Sequence, residues 1–343
     1  HPGGGNFDEK IFYRNFKKLM ALPNRKIFHN AMYDVGWLKQ KDILVNGNYI
    51  DTMIAAQIID ENRMGYSLNA VAKDYLGEKK NENLLYEAAK EWGVDPKGEM
   101  FKLPAQFVGP YAEQDADLTL RLWHRLESEI YKQDLVSVFS LETNILPALI
   151  EMKWRGVRVD TNRATQIKEN LLEEENALLT KIKSISGVSV DVWAARSVAK
   201  AFDAMGIPYN RTERAKEPKF DKNFLATHTS ELAKLVVQAR EINKARTTFI
   251  DTIMKHQKNG RIHAEIHQMK SDVGGTVTGR FSMSNPNLQQ IPARNEKIGP
   301  MIRSLFIPEQ DCKWGCFDYN QQEPRLVAHY AAITRNGLEG ADK

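Results

Sequence analysis

Four segments of the chain place carboxylates or bases where they could do chemistry. In "FHNAMYD" Asn30 and Asp34 stand four apart, and in "YAEQD" Tyr111 and Asp115 repeat that spacing. Residues at i and i+4 share a helix face, so each pair would present a carboxylate beside a polar partner. Two carboxylates converging from different helices beside a sheet make part of a site for Mg²⁺, a hard cation that prefers oxygen ligands. Polar pairs at this spacing also decorate ordinary exposed helices, which is the plainer reading of either pair alone. A third carboxylate, Asp318, closes the run "KWGCFD", in which Trp314, Cys316 and Asp318 fall on one face of a strand. Glu323-Pro324 then reads as a helix start, because proline tolerates the first helical position. A carboxylate at the carboxyl end of a strand lies where mixed sheets hold ligands and metals. Capping of the following helix is the alternative. His263 and His267, in "HAEIH", do not match the His-Glu-x-x-His of zinc proteases. Strand alternation would put both on one face, in a structural or ligand-facing role.

The elements that must position these groups separate into three textures, without internal repeats. Residues 1 to about 133 alternate short apolar strands, "RKIFHNA" and "DILVNGNYI", with helices such as "SLNAVAKDYLG". A long helix follows in which Pro110 is placed to begin the first turn. This is an α/β texture. Residues from about 138 to 257 carry long amphipathic stripes, one through Ile167, Leu171, Leu178, Ile182 and Ile185, another through Leu232, Leu235, Val236, Ala239 and Ile242. Between them "YNRTERAKEPKFDK" reads as an exposed loop. From 261 onward "RIHAEIHQM" alternates as a strand, and "SDVGGTVTGRFSMSNPNLQQIPARN" is dense in Gly, Ser, Asn and Pro. Its Thr278, Arg280, Ser282, Asn287, Gln289 and Arg294 lie along a chain that glycines keep close to whatever it touches. Asn, Gln and Arg can donate to the minor-groove acceptors that all base pairs share. An Asn/Pro-rich surface turn is the weaker reading.

Bulk properties fit a large enzyme of two or three domains. The 343 residues carry 48 basic and 44 acidic side chains, a net +4, so any polyanion must meet a local patch. Cys312 and Cys316 are the only cysteines, too few to staple a chain this long, which makes a reducing compartment the default. No apolar run approaches membrane-spanning length and the start has no signal-peptide pattern. Both ends read as cut.

"TGRFSMSNPNLQQIPAR" followed by "CFDYNQQEPRLVAHYA" resembles the family A, polymerase I-like DNA polymerases, and "GGTVTGRFS" is similar to their phage-borne branch. "FHNAMYD" and "YAEQD" resemble the second and third motifs of the attached 3′-to-5′ proofreading exonuclease. "LETNILPALIEMKWRGVRVD" and "REINKARTTFID" resemble the entry to the thumb and its return helix. The resemblance implies an RNase H-like exonuclease domain over 1–133, incomplete at its N-terminus, a mostly helical thumb over 134–260, and the first strands of a polymerase palm over 261–343. It further implies template-directed DNA synthesis with proofreading, with primer-template DNA and deoxynucleoside triphosphates as partners, two Mg²⁺ per active site, and the cytoplasm of a bacterial host. Any processivity factor is left open.

Residue by residue, the resemblance makes Asp318 one of two polymerase metal ligands and Glu323 a residue packed under the incoming sugar. It puts Thr278, Arg280, Asn287, Gln289 and Arg294 on the primer-template. Arg211, Arg214, Lys216, Lys219 and Lys222 would track phosphates at the thumb tip, although Glu213, Glu217 and Asp221 interrupt them and a solvated loop is the equal alternative. Asp34 and Asp115 become exonuclease metal ligands, Tyr111 orients the attacking water and Asn30 supports the site. The chain departs from the family where Asn320-Gln321-Gln322-Glu323-Pro324 replaces "SQIEL", and nothing before "FHNAMYD" matches the exonuclease's Asp-x-Glu motif. No second catalytic Asp and no Lys- and Tyr-bearing fingers helix follow Asp318. Both metal sites are therefore expected to be half built in these residues, and the fragment alone to be inefficient. A stand-alone exonuclease would have no reason to carry the "TGR" and "DYNQ" segments. A non-catalytic DNA-binding module would be told apart by the sequence beyond Lys343.

Overall fold

The computed structural model describes residues 8–293 and 295–333. The chain divides into one unit through Phe306 and a second from Ile307 onward. In the first unit, α1 (Glu9–Met20) starts on Asp8, whose carboxylate accepts the Ile11 N–H. It leads into β1 (Lys26–Phe28), α2 (Ala31–Gln40), β2 (Tyr49–Asp51), α3 (Thr52–Ile59), α4 (Leu68–Leu76), α5 (Asn83–Trp92) and the 28-residue α6 (Ala105–Lys132). Strands β1 and β2 pair in parallel, with Ile27 opposite Ile50 and Phe28 opposite Asp51. Parallel neighbours need a crossover, and α2 supplies it.

Leu118, Leu122, Trp123, Leu126 and Ile130 recur along α6 at helical spacing. They pack with Ile50, Ala55, Tyr66, Leu68 and Val71 to cover one side of the strand pair. On the other side Ala31, Val35 and Ile54 meet Leu146 and Ile150 of α7 (Val136–Arg155). Each fully buried Leu or Ile contributes roughly 1.5–3 kcal/mol of transfer free energy. Residues 43–45, read from sequence as part of a strand, carry no strand. Ile43 and Val45 are buried while Leu44 is exposed, and only 49–51 find a partner. Helix α6 begins at Ala105, not at Pro110, which sits inside it. Because proline's missing N–H is tolerated in a first turn, the sequence marked a helix whose start lies five residues earlier.

A short strand, β3 (Val157–Val159), precedes α8 (Thr161–Ser186), which is capped by Asp160 through the Arg163 N–H at 2.9 Å. Helix α9 (Ala195–Ala204), a hairpin of β4 (Asn210–Arg211) and β5 (Pro218–Lys219), α10 (Lys222–Thr227) and α11 (Glu231–Lys244) follow. Both predicted stripes face inward. Leu171 and Ile182 of α8 are buried, and Leu232, Leu235, Val236, Ala239 and Ile242 of α11 are all buried. Beyond α11 a π-helical turn at Ala245–Ile250 leads to α12 (Asp251–His256), β6 (Gln257–Lys258), β7 (Arg261–Ile262), β8 (Glu265–His267), β9 (Ser282–Ser284) and α13 (Ile298–Arg303). With β10 (Phe306–Ile307), the strands form a sheet of order β10-β3-β7-β6 and a separate β8-β9 hairpin. "RIHAEIHQM" is thus two strands in two sheets, and His263 lies between them. Its Nδ1 meets the Lys153 carbonyl at 2.9 Å, whereas His267 Nε2 meets Ser284 Oγ at 2.7 Å, so the two histidines do not share a face.

In the second unit α14 (Gln322–Ile333) starts one residue before Glu323, as Glu323-Pro324 predicts. Residues 313–319 form no strand, and Asp318 is exposed in irregular chain. A strand exists only where a neighbour pairs its backbone groups, and among the described residues none pairs this segment. The alternating pattern is real, but pattern alone supplies no partner.

Candidate active site

Asp34, Asp51 and Asp115 line one cleft of about 880 Å³ together with His29, Asn30 and Lys80. Asp34 comes from the first turn of α2, Asp51 from the end of β2 and Asp115 from α6. Asp51, only 1% exposed, is the organising group. Its carboxylate accepts the N–H groups of Asn30 at 3.0 Å, Ala31 at 2.7 Å and Met53 at 2.9 Å, which ties the start of α2 to the start of α3. Carboxylates bonded to backbone amides at helix starts are doubly favoured, by the hydrogen bonds and by the helix dipole.

Asn30 precedes α2 in the left-handed region, with φ 71°, a conformation that asparagine tolerates better than most side chains. It therefore does not share a helix face with Asp34, although both reach the cleft. Burial, and then the charge of Asp51, push the Asp34 carboxyl up to about 6. His29 is held on both ring nitrogens: Nε2 lies 2.9 Å from the Tyr66 carbonyl and Nδ1 lies 2.9 Å from Thr52 Oγ1. Burial lowers its pKa, partly opposed by Asp51.

Lys80 was not foreseen. Its ammonium lies 2.7 Å from both oxygens of Asp115, with bonding geometry met at Oδ2 and not at Oδ1, which keeps no hydrogen bond. It also donates to the Tyr111 hydroxyl at 3.1 Å and sits over that ring. Its pKa is raised: burial alone would lower it, but the bonds to Asp115 and Tyr111 outweigh burial. Tyr111 and Asp115 thus act as a pair, as their spacing on α6 predicts, with Lys80 as the link. Asp51 carried a signal that sequence reading passed over: "NYIDT" ends an apolar strand on an Asp, as "GCFD" was read to do. Lys80, in the irregular "GEKKNEN", carried none.

Hard carboxylate oxygens, an Asp115 oxygen without a hydrogen bond and an Asp34 carboxyl raised first by burial and then by the charge of Asp51 are chemically suited to a divalent cation. Asp34 and Asp115 would hold it. Among the described residues no three His, Cys, Asp or Glu groups converge closely enough to complete a metal site.

The remaining predicted residues lie elsewhere. Arg211, Arg214 and Lys216 are exposed on the β4–β5 hairpin, where a shallow concavity is lined by Asn210, Arg211, Thr212, Glu213, Arg214 and Lys219. Arg211 stacks on Tyr209 and donates to the Lys216 carbonyl. Of the acidic residues that interrupt the run, Asp221 pairs within it with Lys219 at 3.2 Å, whereas Glu217 pairs outside it with Arg196 of α9 at 2.7 Å. Thr278 and Arg280 are exposed, and Thr276 Oγ1 bridges the Thr278 hydroxyl and the Arg280 carbonyl. Asn287 caps a short 3₁₀ turn through the Gln289 N–H, and Gln289 Nε2 donates to the Phe281 carbonyl. Arg294 and the last ten residues lie outside the described residues. In the second unit Asp318 and Glu323 are exposed, and the turn into α14 is closed by Arg325 Nε donating to the Asn320 carbonyl at 2.9 Å.

Comparison with known proteins shows the family. Residues 161–335 match the family described as DNA polymerase family A, and residues 6–131 match a 3′-5′ exonuclease family. The chain belongs to DNA polymerase family A. This family A chain is 37% identical, over 98% of its length, to a DNA-directed DNA polymerase of Pseudomonas phage M6. It is 32% identical over 88% of its length to DNA polymerase DpoZ of Acinetobacter phage SH-Ab 15497, and 29% identical over 94% to DNA polymerase I of Pseudomonas aeruginosa. It covers 52%, 53% and 36% of those three proteins, so it spans about half or less of the relatives it matches. The POL domain of Pol1 from M. smegmatis, solved in complex with DNA primer-template and dNTP, shares the fold with a TM-score of 0.71 at 21% identity, over 93% of this chain and 52% of that one. Polymerase and exonuclease domains of these families generally use divalent metals. None of the described helices is long and apolar enough to cross a membrane.

Proposed function

We propose that the full-length protein containing this family A chain is a template-directed DNA polymerase that proofreads with a 3′-to-5′ exonuclease. The observation that carries the exonuclease half is the convergence of Asp34 and Asp115, with Asp51 between their elements, in one cleft. The polymerase half is supported by the family match and by the solved relative's complex with primer-template and dNTP. The working division is exonuclease 1–133, thumb 134–260 and palm from 261.

In the exonuclease, Asp34 and Asp115 would hold Mg²⁺, which when bound would supply charge stabilisation for an in-line displacement at phosphorus. Water attacks the terminal phosphorus, the P–O3′ bond breaks, and a nucleoside monophosphate leaves with the proton-bearing 3′-OH on the shortened strand. Tyr111, held by Lys80, orients the water. Asn30 supports the turn into α2. At the polymerase site Asp318 would hold Mg²⁺, and the reaction would be displacement of pyrophosphate from the incoming deoxynucleoside triphosphate by the primer 3′-OH. Glu323 packs beneath its sugar. Thr278, Arg280, Asn287, Gln289 and Arg294 contact the primer-template, and Arg211, Arg214 and Lys216 its phosphates. For a phage-encoded protein the compartment is the host cytoplasm.

The test uses a mismatched and a matched primer with the full-length protein. Asp34→Ala and Asp115→Ala should each lower mismatch excision more than about a hundredfold, beyond the 10–100-fold typical of residues that only support a metal ligand, with matched extension unchanged. Asp318→Ala should do the reverse. Excision that survives both exonuclease substitutions would leave the first 133 residues without the assigned role.

A further inference from the structure

We infer that Asp272, a residue of the segment leading into "TVTGR", positions the exonuclease cleft through Tyr66 and His29; the inference rests on the exonuclease reading of that cleft. Ser271 and Gly274 close a tight turn, with the Ser271 N–H donating to the Gly274 carbonyl at 2.6 Å and Asp272 at the tip. The turn depends on the glycine that follows. Gly275 has φ 97°, and a Cβ there would stand 2.0 Å from the Met269 carbonyl oxygen. From this tip the Asp272 carboxylate takes the Tyr66 N–H at 2.6 Å and the Ser67 N–H at 3.1 Å, at the entry to α4. Two further bonds fasten the same segment: the Gln57 amide donates to the Lys270 carbonyl, and the Lys270 ammonium to the Arg63 carbonyl at 3.2 Å.

The path continues into the cleft. The Tyr66 carbonyl can only accept, so His29 Nε2 carries the proton of their 2.9 Å bond. Thr52 Oγ1 lies 2.9 Å from Nδ1 and 3.0 Å from the Phe28 carbonyl, and its single proton serves one of the two. His29 is the residue before Asn30, whose N–H is bonded to Asp51, and the turn they form delivers Asp34. Asp272 thus fixes the backbone at 66–67, that backbone fixes His29, and His29 fixes the turn on which Asp34 stands. The same ribbon of chain, a few residues later, carries Thr278 and Arg280. Asp272 itself is exposed, so its replacement leaves the buried clusters intact.

The experiment compares wild type, Asp272→Ala, His29→Ala and the double variant in the full-length protein. Asp272→Ala should lower the exonuclease kcat on a single-stranded oligonucleotide about tenfold, the scale of lost support to a metal ligand, with KM and matched-primer extension unchanged. In the His29→Ala background it should have no further effect. Hydrogen exchange should show the Asn30 and Ala31 amides opening at least about threefold faster in Asp272→Ala. An unchanged kcat with unchanged exchange, full additivity with His29→Ala, or a parallel loss of extension would each overturn the inference. If the wild type digests nothing, the exonuclease reading fails, and the exchange at Asn30 and Ala31 alone decides whether the linkage exists.

Discussion

Asp34 sits where two forces oppose its ionisation, burial first and the charge of Asp51 second, and together they push its carboxyl up to about 6. A raised carboxyl penalises the folded state whenever it is charged. The penalty is full above about 6 and is relieved as pH falls toward the ordinary value of 3.8. In EDTA, Asp34→Asn should therefore melt higher than wild type at pH 8, with the gap narrowing below pH 6 and closing near 4. Paired melting curves across that range measure it, and a gap of constant size would remove the electrostatic cause. Lys80 answers the same problem differently at Asp115, where an ammonium neutralises the carboxylate directly. The spacing of Asn30/Asp34 and Tyr111/Asp115 was legible because identity and interval sit in the string. The pairing of Asp115 with Lys80, 35 residues away, was not, because it depends on how α6 lies against the loop after α4.

Among elements, the helices were more legible than their joints. The α8 and α11 stripes follow from periodicity, yet the contact that locks them is polar. Glu175, 7% exposed, accepts from Asn243 Nδ2 at 2.7 Å and from Arg246 Nε and Nη2 at 3.0 and 2.9 Å, joining α8 to the π-helical turn after α11. Removing one partner of such a pair strands a buried charge. Arg246→Ala should destabilise the first unit by about 3–5 kcal/mol, read as a shift of the urea midpoint, and Glu175→Gln placed in that variant should recover part of the loss. No recovery would show that packing of the arginine stem, not charge, is what matters. The β4–β5 hairpin poses the opposite question, since its cations are exposed. If Arg211, Arg214 and Lys216 contact phosphates, replacing all three by Ala should reduce the slope of log K against log salt for duplex DNA by about 2–3. Fluorescence anisotropy between low and moderate salt reads that slope, and an unaltered slope would make the hairpin a solvated loop.

At the scale of the whole molecule, two chemistries are proposed to share one chain, and their independence is measurable. On a mismatched primer, Asp318→Ala should excise at the wild-type rate and then stall, because among the described residues none that lines the proposed exonuclease cleft comes after Val273. Loss of excision in that variant would tie the two sites together. The sequence by itself determined the family, the order of its motifs and the amphipathic helices, because these depend on residue identity and on intervals of a few residues. It also singled out Asp34, Asp115 and Asp318 as candidate carboxylates. Only the tertiary structure decided that Asp51 is the buried hub, that Lys80 holds Asp115, that Asn30 stands outside its helix and that Asp272 reaches back across 205 residues to Ser67. It decided as well that "KWGCFD" forms no strand among the described residues. The reason is common to all five: a backbone amide or a carboxylate must find a partner, and the partner's position is set by packing, not by its place in the chain.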